Sequence, residues 1–216
     1  MKKRVETERL TQSISLLQPT RPIFCTTKNA DGSDHIAPFA WVMPISCQPP
    51  RIAFALQNQR GRKCSHSLEN ILRDWEFTIN MPVAGQEKTM VEASFISDDR
   101  YGDSGFTKAA GGAVAPVSVP ECAASLECRT YSVIDSGNDH TLILADVVGA
   151  VYDPSLYEEN LCPAAPAMQP LINLTEYRYQ DRQEHIFLKA DEPYRVIAYY
   201  KHPLREPGDD AGKDEK

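Results

Sequence analysis

The segment Asp34-His35-Ile36-Ala37-Pro38-Phe39-Ala40-Trp41, followed by Pro49-Pro50 and then Ser67-Leu68-Glu69-Asn70-Ile71, constrains this chain more than any other. It opens a β-like run, Ile36 to Cys47, that is joined through Gln48-Pro49-Pro50 to a second run, Ile52 to Gln57. Proline has no amide to give to a ladder, so Pro49-Pro50 marks a corner and Pro44 a bend or bulge. Upstream, Arg21-Pro22 introduces Ile23-Phe24-Cys25-Thr26-Thr27, a short strand ending at the Asn29-Ala30-Asp31-Gly32 turn. Downstream, Ser65 or Ser67 can cap a helix carrying Leu68, Ile71, Leu72 and Trp75 at helical spacing.

The rest of the chain repeats this grammar. Phe77-Thr78-Ile79-Asn80 reads as a strand stopped by Pro82, and residues 86–95 as a second helix. Ser97 to Gly112, rich in Gly, Asp and Ser, reads as a loop anchored by Phe106. Leu126 to Ile134 and Thr141 to Tyr152 flank Asp135-Ser136-Gly137-Asn138, a strong hairpin signal. Many short strands with few helices predict a mainly β fold, a β-barrel with helical decoration. Residues 1–18 form a lead-in arm or short helix, 19–180 the barrel domain and 181–203 a β extension with strands at His185–Leu188 and Tyr194–Tyr200. The polar, acidic residues 204–216 are expected to be disordered.

Composition closes off several function classes. The net charge of −7 argues against a nucleic-acid partner, which usually needs a concentrated basic face. Apolar runs such as Val147–Tyr152 fall far short of a membrane span. Met1-Lys2-Lys3-Arg4 is followed by Glu6 and Glu8 where a secretory segment would be apolar, so a cytoplasmic protein is expected. The six cysteines contain no C-x-x-C pair and read as reduced thiols. The five histidines are dispersed, so no metal site is predicted.

In order and spacing, Asp31-Gly32, the Ala37-Pro38 and Trp41 segment, Pro49-Pro50 and Ser67-x-x-Asn70-Ile71 resemble the flavin reductase-like family. The resemblance covers roughly residues 18–180. It implies a dimeric split β-barrel that holds FMN, with NADH or NADPH as electron donor stacked on the flavin itself. It also implies where the cofactor lies. His35, Ala37 and Pro38 fall on the cofactor-lining strand, and Trp41 matches an aromatic position beside the ring. Thr26 and Thr27 match the Thr-Thr whose backbone meets the flavin edge, and Asn80 the Asn-x-Pro before the second helix.

Ser67 matches a phosphate-binding hydroxyl, with Arg62 and Lys63 just upstream able to close over the anion; on composition alone Ser67 is equally a helix cap. His140 matches a histidine beside the cofactor and is the one catalytic candidate, able to steady negative charge on the reduced ring or bind the nicotinamide. Tyr179 matches a residue that covers the flavin from the partner subunit. Two positions depart from the pattern. His35 stands where many relatives carry Asn, and Ala40, where many carry Ser, cannot hydrogen-bond a cofactor.

The implied function is an FMN-dependent oxidoreductase passing hydride from NAD(P)H to flavin N5. The acceptor is a free flavin, a ferric complex or a redox protein. The alternative is a flavoredoxin-like electron carrier or sensor without NAD(P)H turnover of its own.

Overall fold

In the computed structural model, the described residues are 4–17, 19–58, 66–94, 99–135, 139–164, 169–178 and 182–189. A 3-10 segment, Thr7–Leu17, leads into β1 (Ile23–Lys28), β2 (Asp34–Phe39), β3 (Val42–Cys47) and β4 (Pro50–Gln57). Then come α1 (His66–Asp74), β5 (Glu76–Met81), α2 (Glu87–Glu92), α3 (Arg100–Ser104), β6 (Ala124–Asp135) and β7 (His140–Tyr152). The described chain closes with β8 (Leu171–Arg178) and β9 (Arg182–Lys189), a separate antiparallel pair.

Seven strands form one antiparallel sheet in the order β2-β1-β5-β6-β7-β4-β3. Its two edges, β2 and β3, are consecutive in the chain, with only Ala40 and Trp41 between them. Two residues let the flanking Cα atoms stand at most roughly 11 Å apart, so the sheet must curl until its first and last strands approach. The result is a mainly β, split barrel whose seam runs between β2 and β3. Ile36–Cys47 is therefore two strands rather than one. The predicted irregularity at Pro44 is present as a register shift between Pro44 and Ser46.

The barrel interior is filled by Ile23, Cys25, Ile52, Phe54, Leu56, Phe77, Ile79, Cys128, Ile143 and Ala145, with Leu68 and Ile71 of α1 packed onto it. Leu72 and Trp75, expected on the same helix face, are exposed instead; Trp75 sits past the helix end at φ 61°. A second cluster, Phe24, Ile36, Met90, Tyr101, Val117 and Val119, joins β1 and β2 to α2, α3 and the segment after them. α3 breaks the stretch expected to be loop: Asp99 accepts from the Gly102 amide to start it, and Gly105 ends it at φ 71°. Asp99 and Gly105 are the cap signals the composition had masked.

Glu127 ties that segment down. Its buried carboxylate accepts from the amides of Gly112 at 2.7 Å and Ala113 at 2.6 Å. Gly149, its cross-strand partner, leaves it room: a Cβ there would collide with the carboxylate. Among the described residues Cys25, Cys47, Cys122, Cys128 and Cys162 are free thiols, and no group of three or more His, Cys, Asp or Glu is placed to hold a metal. No described helix is long and apolar enough to cross a membrane.

Candidate functional site

β2 forms one lip of the seam, pairing only with β1, and α1 and α3 pack against it. His35, the second residue of β2, is 3% exposed and meets His66, the first residue of α1, edge-on at 5.7 Å. Burial first, then the nearby Arg100 guanidinium and His66, push the His35 pKa down to about 4, so the ring is neutral near pH 7. Its Nε2 has no hydrogen-bond partner. The same is true of Ser67 Oγ, next to His66 in the first turn of α1, and of Arg100 Nε at the start of α3. An unpaired buried polar atom costs roughly 1–3 kcal/mol. Three on elements packed around one strand end mark a place where the chain's own atoms leave polar groups for something else.

The rim of this place is satisfied. Asp34 accepts from Lys28 Nζ at 2.6 Å and pairs with Lys108 Nζ at 3.0 Å. Desolvation is the largest influence on its carboxyl, yet the hydrogen bonds and charges of the two lysines hold it below its ordinary pKa. Asn70 of α1 donates to Thr27 Oγ1 and to Asn29 Oδ1, each at 3.0 Å, fixing the helix to the end of β1.

Further along the seam, Trp41 lies flat on His140, centroids 4.5 Å apart and planes 18° from parallel. Asp139 Oδ1 stands 3.1 Å from His140 Nδ1, and this hydrogen bond lowers the Asp139 pKa.

The structure thus brings His35, Ala37, Pro38, Ser67, Trp41 and His140 to the seam and its two ends. Ala40 stands at the corner with no side-chain donor, as its identity dictates. Thr26 and Asn80 belong to a different network. Thr26 Oγ1 donates to Val117 O at 2.5 Å, and its strand position is flanked by both β2 and β5. Asn80 Oδ1 accepts from Val119 N at 2.9 Å and Ser125 Oγ at 2.7 Å, while its amide reaches Phe24 O at 3.3 Å. These side chains fasten the 116–119 segment to the barrel. Ser67 lies one residue inside α1 and makes no capping bond. Arg62, Lys63 and Tyr179 lie outside the described residues, as do Tyr194–Tyr200 and the 204–216 tail. Sequence reasoning did not single out Arg100, His66 or Asp139.

One end of the seam can hold an anion against a helix N-terminus, and the other presents flat aromatic surface. Residues 17–180 match the family of the flavin reductase like domain. Over 130 residues the chain is 28% identical to a flavin reductase (NADH) of Kitasatospora aureofaciens, covering 60% of this chain and 64% of that protein. The match therefore spans just under two thirds of that relative's length. Among solved structures, nitrilotriacetate monooxygenase component B from Bacillus cereus superposes with a TM-score of 0.76 at 17% identity, covering 91% of this chain and 98% of that one. The flavoredoxin of Desulfovibrio vulgaris (Miyazaki F) gives 0.67 at 21% identity, covering 96% and 100%. Both establish the split-barrel fold.

Proposed function

Because this chain belongs to the flavin reductase-like family, whose members are split-barrel flavoprotein oxidoreductases, we propose that it is an FMN-dependent oxidoreductase fed by NADH or NADPH. The observation that carries this reading is the flat Trp41–His140 pair beside the seam. A planar, mostly apolar surface with one polar edge is what an isoalloxazine ring requires. From His35 to Trp41 is six positions of strand and corner, at most roughly 20 Å, within the span of one extended flavin nucleotide. The unpaired atoms at one end suit its phosphate, and the aromatic pair at the other suits its ring. When bound, FMN supplies a hydride-accepting N5.

The chain's own contribution is positioning. β2 offers Ala37 and Pro38 along an unpartnered strand edge. His140, steadied by Asp139, directs an imidazole to the ring edge, where it stabilises negative charge or orients the donor's carboxamide. The chain acts as a homodimer that completes the site across the seam. Exposed Met43 and Ile45 on β3, with Tyr131, Ile134 and Val151 on β6 and β7, support a second copy. Free thiols support a cytoplasmic setting.

The test is anaerobic spectroscopy of the purified protein. Flavin absorbance that bleaches on adding NADH or NADPH is the expected result. Bound flavin that ignores both but is reduced by dithionite would make the chain a flavoredoxin-like carrier, the reading its likeness to flavoredoxin keeps in play. Absence of flavin binding would refute both. Sedimentation of a stable FMN-loaded monomer would refute the dimer.

A further inference from the structure

We propose that the Trp41–His140 stack is an autoinhibitory contact: the imidazole stands on the indole in the place of a planar ligand ring, and turns aside toward that ring's edge when the ligand binds. The proposal rests on the flavin reading and adds to it a conformational step made by the chain's own side chains.

Three observations converge. The rings lie face to face, 4.5 Å between centroids and 18° from parallel. A third ring would need carbon contacts of about 3.5–4.0 Å to each neighbour, nearly twice the present gap. A planar ligand therefore reaches this face of Trp41 only by displacing the imidazole. The backbone on both sides is fixed, since Trp41 O accepts from Ala55 N at 2.9 Å, His140 is in register with Gln57, and Asp139 O accepts from Asn58 N at 2.5 Å. The exchange is thus a side-chain rotation that moves no strand. What holds the imidazole is light: Asp139 Oδ1 meets Nδ1 at 3.1 Å from a side chain that is 75% exposed. A carboxylate so far in solvent contributes little to holding the ring and can turn with it.

The occupant that reverses this contact is a flat, extended ring. Trp41 sits in the two-residue link between the edge strands β2 and β3, so its indole stands where the seam turns its corner. An isoalloxazine covers more of that indole than an imidazole does, and the larger stack drives the exchange forward. The stack given up is subtracted from binding. An aromatic pair of ordinary strength leaves the open arrangement a minority, which lowers the apparent association rate and affinity by about threefold to tenfold.

The experiment follows the His140 ring protons by NMR in the full chain, assigned through His140→Gln, while riboflavin is added. The indole shields an imidazole stacked on it, so these protons should resonate upfield without ligand and return toward ordinary positions as riboflavin binds. Stopped-flow association of riboflavin should be about threefold to tenfold faster in His140→Ala and no faster in His140→Phe, which keeps a ring on Trp41; circular dichroism is the folding control. Riboflavin that binds while the upfield shift persists would overturn the proposal, as would an alanine variant that associates no faster than wild type or a phenylalanine variant that matches alanine. If wild type binds no riboflavin, the flavin reading fails by itself and nicotinamide mononucleotide becomes the probe: loss of the upfield shift on its addition supports the exchange, and an unmoved shift overturns it.

Discussion

The barrel has two sets of buried polar groups on neighbouring elements, Thr26 of one pairing across from Ile36 beside His35 of the other, and they are finished differently. Under the 116–119 segment, Thr26, Thr78, Asn80 and Ser125 are all engaged, each with a partner in the chain. At the start of β2, His35 Nε2, Ser67 Oγ and Arg100 Nε are buried and unengaged. Residue type does not separate them, since both hold hydroxyls and side-chain nitrogens. Saturation does. A closed network contributes to the fold, whereas an open one leaves buried polar groups at a cost the fold does not recover.

The largest test of that contrast is Ser67→Asp. A carboxylate here stands at the positive end of the α1 dipole, so it takes the phosphate's place while keeping the helix intact. FMN affinity should fall by about a thousandfold, about 4 kcal/mol, with riboflavin affected far less. Flavin titrations read the difference; FMN binding as tight as wild type would remove Ser67 from the site.

Next comes acid. His35 protonates near 6.5 in the unfolded chain but only near 4 in the fold. Between those values the unfolded state binds more protons, so stability is full above pH 6.5 and declines as pH falls toward 4, by at most about 3 kcal/mol. Urea midpoints at pH 7 and pH 4.5 should differ less in His35→Gln than in wild type. An identical pH dependence would mean that His35 is not the withheld base.

The closed network should respond in the opposite currency. Asn80→Ala strands the Val119 amide and the Ser125 hydroxyl, at roughly 2 kcal/mol of stability, while flavin bound per folded molecule stays constant. If flavin affinity fell while stability held, the two networks would have exchanged roles. The smallest effect belongs to the rim: Lys108→Ala removes a half-exposed partner of Asp34 and should cost no more than about 1 kcal/mol, read as a thermal midpoint.

Much of the fold was legible in local pattern. β1, β5, the β6–β7 hairpin and α1 fall where alternation, prolines and the Asp135–Asn138 turn put them. The missed features are those set by closure. The break at Ala40–Trp41 is imposed by bringing two sheet edges together, which no window of sequence contains, whereas Pro44 announces its irregularity by chemistry alone. Of the candidate site, His35, Ser67, Trp41 and His140 lay on recognisable motifs. Arg100 was one arginine among many charged residues in a segment read as loop. Among the described residues only its buried, unpartnered Nε distinguishes it, and a partner is a property of three dimensions. Thr26 and Asn80 also lay on a motif, but motif position says nothing about the side-chain bonds to Val117, Val119 and Ser125 that the fold gives them.

The strand order also carries a consequence in time. β2 reaches the sheet only through β1 and β5, and β3 only through β4, so the two edges are the strands farthest from the β6–β7 hairpin on either side. That hairpin is the longest pairing and its strands are separated by only four residues of chain, which makes it inexpensive to nucleate. The seam, though two residues wide in the chain, is the last place the sheet defines. On the proposed function, flavin capture would then act as an inspection step at the end of the line: during refolding, recovery of flavin quenching should trail recovery of β structure.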